Sequence, residues 1–382
     1  MPKPMPVVQL LREWPPGYGG VERVAHELAS VWGGAVYSFD VQRQGSVGRD
    51  PLPVVYPRSR LPSVKTFGRL HLPLPSRALW CLLNSPSPLH GHLPSPGVLL
   101  VLVLARLVRP CRRVTAHWHC FLQPGCGVNG RLFAVYQRLA LWLVPKLSAV
   151  LTTSPVLAQE LECCGCAHDR VFVLPCCLSQ QQEQLGLALP GPEASASDIL
   201  RVLYIGRLDS YKRLDWLLEA LSTLRSPWKL AVVGDGPKRA QFERLAERLV
   251  HDPSSVRFYG RLDEAAKFHQ LSLSDVLVLP SDTSNEAFGI VQLEAMAAGR
   301  PSLAFDQIRS GMGWVGWLSG LPWSQSVEGL PDVLQRLADQ PQLRRSLSLQ
   351  ARERYQMMFA RSVWLQQLQQ LGELAGNGKV CT

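Results

Sequence analysis

Residues 276–305 read VLVLPSDTSNEAFGIVQLEAMAAGRPSLAF. Four apolar β-formers, Val276 to Leu279, stop at Pro280, and a polar run of Ser, Asp, Thr and Asn follows, which is a strand entering a loop. From about Ala287–Gly289 the apolar residues recur at helical spacing, until Gly299 and Pro301 end the helix and Ser302 to Phe305 starts another strand. Strand, loop, helix and strand in this order form a unit of a parallel sheet covered on both faces. Ligands of such sheets bind beyond the carboxyl ends of the strands. Glu286 closes the loop and Glu294 stands eight residues further on, about two turns into the helix. Free amides of the first helical turn point back at the loop and suit an anionic phosphate. Glu286 would then face a sugar's hydroxyls and Glu294 those of a ribose. Two acids on a helix are often no more than surface residues, but the run EAFGIVQLEAMAAG weakens that reading.

The same alternation extends through the second half. Strands are expected at Leu200–Ile205, Lys229–Val233 and Val256–Tyr259, with helices over Leu214–Leu224 and Lys238–Leu249 between them. Strand 200–205 runs into Gly206-Arg207-Leu208-Asp209-Ser210-Tyr211-Lys212. Arg207 and Lys212 at that strand end could hold a diphosphate and stabilise the charge that grows on it when a bond to it breaks. A surface arginine and a helix-capping lysine would be the bland alternative. A unit-charge pair near 4 Å is worth about 4 kcal/mol at an effective dielectric of 20, before desolvation, and about 1.4 kcal/mol is tenfold in rate. Strand 229–233 runs into Gly234-Asp235-Gly236-Pro237, a tight strand-to-helix turn that could also wall a base or ribose.

At 382 residues the chain exceeds one ordinary core, so two domains are expected. Its first half shows a short strand at Val7–Leu11, a Gly/Pro-rich turn, a helix over Val21–Val31, and strand-like pieces at Ala35–Ser38 and Val54–Tyr56. Apolar stretches follow at 98–107, 113–118, 132–143 and 149–153, with a closing strand in 170–175. The polar segment 181–198 reads as a linker. No segment has the roughly 18 consecutive apolar residues of a membrane span, and the N-terminus lacks the pattern of a signal peptide, so a cytoplasmic protein is expected.

The net charge of +10 lies wholly in residues 1–178, with 18 Lys and Arg against 8 Asp and Glu, while the remainder carries 22 of each. Nucleic acid, an anionic membrane surface and an anionic substrate are the three partners such a balance allows. The arginines lie among Leu and Pro without interleaved aromatics, which argues against nucleic acid and favours a membrane face or a phosphorylated lipid acceptor. Of the ten Cys, Cys163 and Cys166 have a zinc-ribbon gap but no second pair, so small buried thiols are expected at 163–177.

Together, Glu286-x7-Glu294 within AFGIVQLEAMAAGRPSLAFD, then GRLDSYKRLDWLLEAL and VVGDGP, resemble the donor half of family 4 glycosyltransferases (group 1) of GT-B architecture. The N-terminal Gly17-Tyr18-Gly19-Gly20-Val21-Glu22-Arg23, His92-Leu93-Pro94-Ser95-Pro96 and Ala116-His117-Trp118-His119-Cys120 resemble that family's first half, so coverage is nearly end to end. The resemblance implies an α/β fold of two Rossmann-like parallel-sheet domains facing across a cleft. Residues 1–180 would form the acceptor-side domain, 199–360 the donor domain, with 361–382 packing back on the first. It implies a retaining hexosyltransferase using a UDP- or GDP-sugar and a saccharide or lipid-linked acceptor in surface polysaccharide synthesis. The enzyme would work without metal or other cofactor, and this sequence has no Asp-x-Asp pair. Arg207, Lys212, Glu286 and His92 would act at the reacting centre. Gly19, Gly20, Gly234, Ala287, Phe288, Gly289, Ile290 and Glu294 would bind donor, and His117 and His119 would line the acceptor side.

The chain departs from the family after strand 170–174, where Pro175-Cys176-Cys177 replaces Pro-Asn-Gly. It also departs at 118–120, which lack the usual Ser-Asp, and at 310–321, which look shortened. A sugar-nucleotide epimerase would need acids in the N-terminal half, where only 8 occur in residues 1–178. A non-catalytic binder of the same fold would be expected to have lost Arg207, Lys212, Glu286 or Glu294.

Overall fold

The computed structural model describes residues 6–13, 20–39, 55–65, 71–123, 127–190, 199–250 and 252–376. The chain divides into two compact units, Met1–Pro175 with Gln366–Thr382, and Cys176–Leu365. Both are parallel sheets with helices, the two Rossmann-like domains of a GT-B fold.

In the first unit the strands are β1 (Val8–Leu11), β2 (Val36–Phe39), β3 (Arg58–Leu61), a hairpin of β4 (Ser63–Lys65) and β5 (His71–Pro73), β6 (Leu89–Leu93), β7 (Val114–Trp118), β8 (Ala149–Thr152) and β9 (Val171–Val173). Seven of them form one sheet in the order β3-β2-β1-β6-β7-β8-β9, every pair parallel. Helices α1 (Gly20–Trp32), α2 (Arg77–Asn84), α3 (Pro96–Val108), α4 (Val128–Leu143) and α5 (Pro155–Cys163) connect them. Strands β1 and β8 are buried at every residue, as expected where helices cover both faces. Edge strand β3 is Arg-Ser-Arg-Leu with only Leu61 buried. The strand expected at 54–56 is therefore shifted: Val55 and Tyr56 precede the strand rather than forming it, and a charged edge carries no apolar pattern to betray it.

The second unit begins with α6 (Gln180–Ala188) and continues with β10 (Leu200–Ile205), α7 (Leu214–Ser222), β11 (Trp228–Val233), α8 (Arg239–Leu249), β12 (Val256–Gly260), α9 (Glu264–Leu273), β13 (Val276–Leu279), α10 (Ile290–Ala297), β14 (Ser302–Ala304), α11 (Met312–Gly316), α12 (Leu330–Asp339) and α13 (Pro341–Arg354). The last helix, α14 (Arg361–Gly376), starts in this unit and from Gln366 onward belongs to the first. Its parallel sheet has the order β12-β11-β10-β13-β14. Leu203, Ile205, Phe268, Leu271, Leu277 and Ala295 meet in its core.

The segment expected as a linker, 181–198, is corrected by α6. Ser179 Oγ accepts from the Gln182 amide and Gln182 Oε1 accepts from the Ser179 amide, both at 3.2 Å, a capping box that stabilises a helix start. The Gln-rich composition concealed the Ser-x-x-Gln spacing. Residues 191–198 lie outside the described residues. The 163–177 cysteines are likewise mixed: Cys166, Cys176 and Cys177 are buried, whereas Cys163 is exposed at the end of α5.

Candidate active site

In each sheet the strand order reverses once. The reversal falls between β10 and β13 in the second unit and between β1 and β6 in the first, and a crevice opens at such a point because the exit loops of the two strands diverge.

From β10 the chain turns through Gly206 to Arg207, whose side chain is 59% exposed and reaches Asp209 at 3.5 Å. Tyr204, buried at the end of β10, donates its hydroxyl to the Arg207 carbonyl at 3.3 Å. The turn after β11 supports this loop. Gly234 has φ +133°, and a Cβ there would strike the Gly206 carbonyl oxygen. The Leu208 amide donates to Asp235 O at 3.2 Å and the Lys238 amide to Leu208 O at 3.1 Å. Gly234 thus lies against the Arg207 loop, where only a glycine fits.

Lys212 is buried to 8% exposure and forms an ion pair with Glu286. Glu286 comes from the loop after β13, so the pair joins the exits of two adjacent strands. The Glu286 carbonyl accepts from Ser310 Oγ at 2.5 Å, and the Gly311 amide donates to Ala287 O at 2.8 Å. Gly289 caps α10 with φ +73°, and a Cβ at Gly289 would strike Leu279. Ala287 and Phe288 are buried, and Ile290 is half-buried at the helix start. Gln292, fully buried, donates Nε2 to Phe288 O and Met312 O at 2.9 and 3.1 Å, while Ser302 Oγ donates to its Oε1 at 2.9 Å. Sequence reading passed over Gln292 as an ordinary helix residue, although a Gln in an otherwise apolar run signals a buried amide that needs partners.

Glu294 is also buried, at 1% exposure. Its Oε1 accepts from Lys267 Nζ at 2.8 Å and Gln182 Nε2 at 3.1 Å, which fix the carboxylate in place. Cys176 is buried close enough to Glu286 to feel its charge. Burial first, then that carboxylate, pushes the thiol up to about 12.

The first unit gathers His92, His117 and His119 and adds His90 and Gln9. Residues 90 and 92 on β6, and 117 and 119 at the end of β7, alternate onto one face, with His92 registered against His117. His92 Nε2 donates to Gln9 Oε1 at 2.9 Å, which leaves His92 Nδ1 to accept from His119 Nε2 at 2.8 Å. The rings of His117 and His119 stack at 4.2 Å. Both His117 ring nitrogens and His90 Nε2 are buried without a hydrogen-bond partner among the described residues. His90, His92 and His117 are also the one grouping of at least three ligand residues, among the described residues, whose donor atoms lie within 4.8 Å of one another. Gly20 opens α1; Gly19 lies outside the described residues. Gln9 was missed because only the strand pairing brings β1 beside β6, whereas His90 stands two residues before His92 on the same strand, a spacing that could have revealed it.

A sequence family described as Glycosyltransferase Family 4 matches residues 18–181, and one described as Glycosyl transferases group 1 matches residues 200–319. D-rhamnosyltransferase WbpZ of Pseudomonas aeruginosa is 32% identical over 161 residues, 41% of each chain. The phosphatidyl-myo-inositol mannosyltransferase of Mycobacterium leprae is 37% identical over 109 residues, 28% of each chain. The match thus spans less than half the length of either relative. Anabaena Alr3699/HepE, solved with UDP, superposes with a TM-score of 0.73 at 17% identity, over 98% of this chain and 100% of that one. This last likeness concerns the fold alone.

Two outcomes are expected of this geometry. Lys267→Met removes a partner of a buried carboxylate and should cost about 3 kcal/mol in denaturant unfolding; a change under about 1 kcal/mol would mean that the pair is not needed there. Burial, then neighbouring imidazoles, holds His90, His92 and His119 well below the ordinary 6.5, and burial alone takes His117 to about 3. Below pH 6.5 the unfolded chain therefore binds protons that the folded chain does not. Stability is full above that pH and falls as pH drops, by about 1.4 kcal/mol per pH unit for each proton taken up. Urea unfolding at several pH values should show this slope, reduced by one proton in His117→Leu.

Proposed function

The chain belongs to the family 4, group 1 glycosyltransferases, and on that premise we propose that it moves a hexose from a UDP- or GDP-sugar to a saccharide or lipid-linked saccharide in surface polysaccharide or glycolipid synthesis. The observation that carries this reading is the contact of Lys212 with Glu286 at the β10–β13 reversal, with exposed Arg207 on the same loop. This is an anion site with a carboxylate beside it. The donor diphosphate would lie at these strand ends, its charge answered by Arg207, Lys212 and the first amides of α10. Lys212 is already held by Glu286, so little reorganisation is needed when the anion arrives.

In the reaction the bond from the anomeric carbon to the diphosphate oxygen breaks and a bond to the acceptor oxygen forms on the same face. The acceptor's proton passes to the departing phosphate. Arg207 and Lys212 stabilise the charge left on the diphosphate, and Glu286 accepts from a hydroxyl of the moving sugar. Glu294, its Oε1 held by Lys267 and Gln182, takes the ribose. Gly234 supports the Arg207 loop as well as bordering the donor. His92, kept neutral by burial, would give the sugar a hydrogen bond only by exchanging its bond to Gln9 or His119, and His117 and His119 would serve the acceptor. No metal takes part in this scheme, and the cytoplasmic side of a membrane is its place. D-rhamnosyl and mannosyl transfer by the two relatives named above supports a hexose or deoxyhexose donor.

Removing Lys212 or Glu286 by substitution with Ala should lower donor hydrolysis roughly a hundredfold, measured by nucleoside diphosphate release. Slow hydrolysis at equal rates in wild type and Glu286→Ala would exclude the role assigned to that carboxylate. Hydrolysis should persist unchanged in EDTA; loss restored by a divalent cation would exclude the metal-free scheme.

A further inference from the structure

Residues 51–159 contain twelve Lys or Arg and no Asp or Glu. Helices α2, α3 and α4 all lie within this acid-free stretch. Helix α3 links β6 to β7 and α4 links β7 to β8, two steps in the same direction along the sheet. Right-handed crossovers therefore put both helices on one face.

Helix α4 is turned inside out relative to an ordinary surface helix. Val128, Leu132, Val135, Leu139 and Trp142 recur at intervals of four and three residues and so form one stripe. That stripe is outside: Val128 is 71% exposed, Val135 64% and Trp142 62%, with Leu132 and Leu139 also exposed. The residues turned inward are smaller or polar, namely Gly130, Gln137 and Ala140. Arg131 and Arg138 are exposed along one flank of the stripe. Beyond its end, Lys146 Nζ sits 3.0 Å over the Trp142 ring, a cation held at the rim of an apolar surface. On α3, Leu107 and Val108 are exposed near its end and are followed by exposed Arg109.

We propose that this face of the first unit docks on an anionic phospholipid bilayer, with α4 lying in the interface plane. Aliphatic and Trp side chains enter the acyl boundary while Arg131, Arg138 and Lys146 meet lipid phosphates, the arrangement of an interfacial amphipathic helix. A second copy of the chain fits less well. Antiparallel pairing of two α4 helices about Val135 would bring Arg131 of one copy beside Arg138 of the other, with no acid in the segment to answer them. The inference rests on the lipid-linked acceptor proposed above and names the surface that would bring the chain to it.

Sedimentation of the full chain with vesicles tests this. Phosphatidylcholine vesicles containing phosphatidylglycerol should pellet the protein, vesicles of phosphatidylcholine alone should not, and added salt should weaken the binding. Two double variants, Val135→Glu with Leu139→Glu and Arg131→Glu with Arg138→Glu, should each lower partition by roughly tenfold or more. Both should melt within about 2 °C of wild type, since the positions are exposed. No binding of wild type to the anionic vesicles, or equal binding of the variants, would overturn the proposal. So would a lipid-free dimer in sedimentation velocity that the Val135/Leu139 variant abolishes. Vesicle binding is read directly and does not pass through sugar transfer, so it stands or falls apart from the assigned activity.

Discussion

The Lys212–Glu286 ion pair depends on one topological fact. In the second sheet β10 and β13 are hydrogen-bonded neighbours although β11 and β12 intervene in the chain. That reversal sets the Arg207 loop and the Glu286 loop side by side while their continuing chains diverge. A buried ammonium in such a position needs a counter-charge, and Glu286 supplies it. The remaining parts of the site serve to hold these two loops still. Gly234 lets the β11 turn approach Gly206, Ser310 takes the Glu286 carbonyl, and Gln292 ties the start of α10 to Phe288 and Met312.

The first sheet repeats the device with different chemistry. Its reversal lies between β1 and β6, where Gln9 meets His92 and the line continues to His119. Burial keeps all four imidazoles of this cluster from taking up protons. Neutral imidazoles are hydrogen-bonding groups rather than charges, which suits recognition of hydroxyls. Charge therefore gathers at one reversal, and uncharged polar groups gather at the other.

Much of the second unit was legible in its sequence because β10, β11 and β13 are short, largely apolar runs followed at once by a Gly or Pro turn. β10 and β13 have the bounds expected for them, and Arg207, Lys212 and Glu286 fall at their ends. Residues whose importance comes from long-range pairing were not legible. Gln9 and His92 are 83 positions apart, and Gln182 reaches Glu294 across 112. The helix at 180–188 was hidden by a polar composition that resembles a linker, although its capping box is written in four consecutive residues. The exposed stripe of α4 has the periodicity of a core-facing helix, and periodicity alone does not say which side is wet.

Hydrogen exchange of the second unit's backbone, with and without UDP and GDP, addresses the central claim most directly. One of the two nucleotides should slow exchange in residues 206–213 and 281–292, the two exits flanking the strand reversal, and this protection should be lost in Lys212→Ala. Protection confined to other segments, or the same protection in wild type and Lys212→Ala, would contradict a diphosphate site built on the Lys212–Glu286 pair.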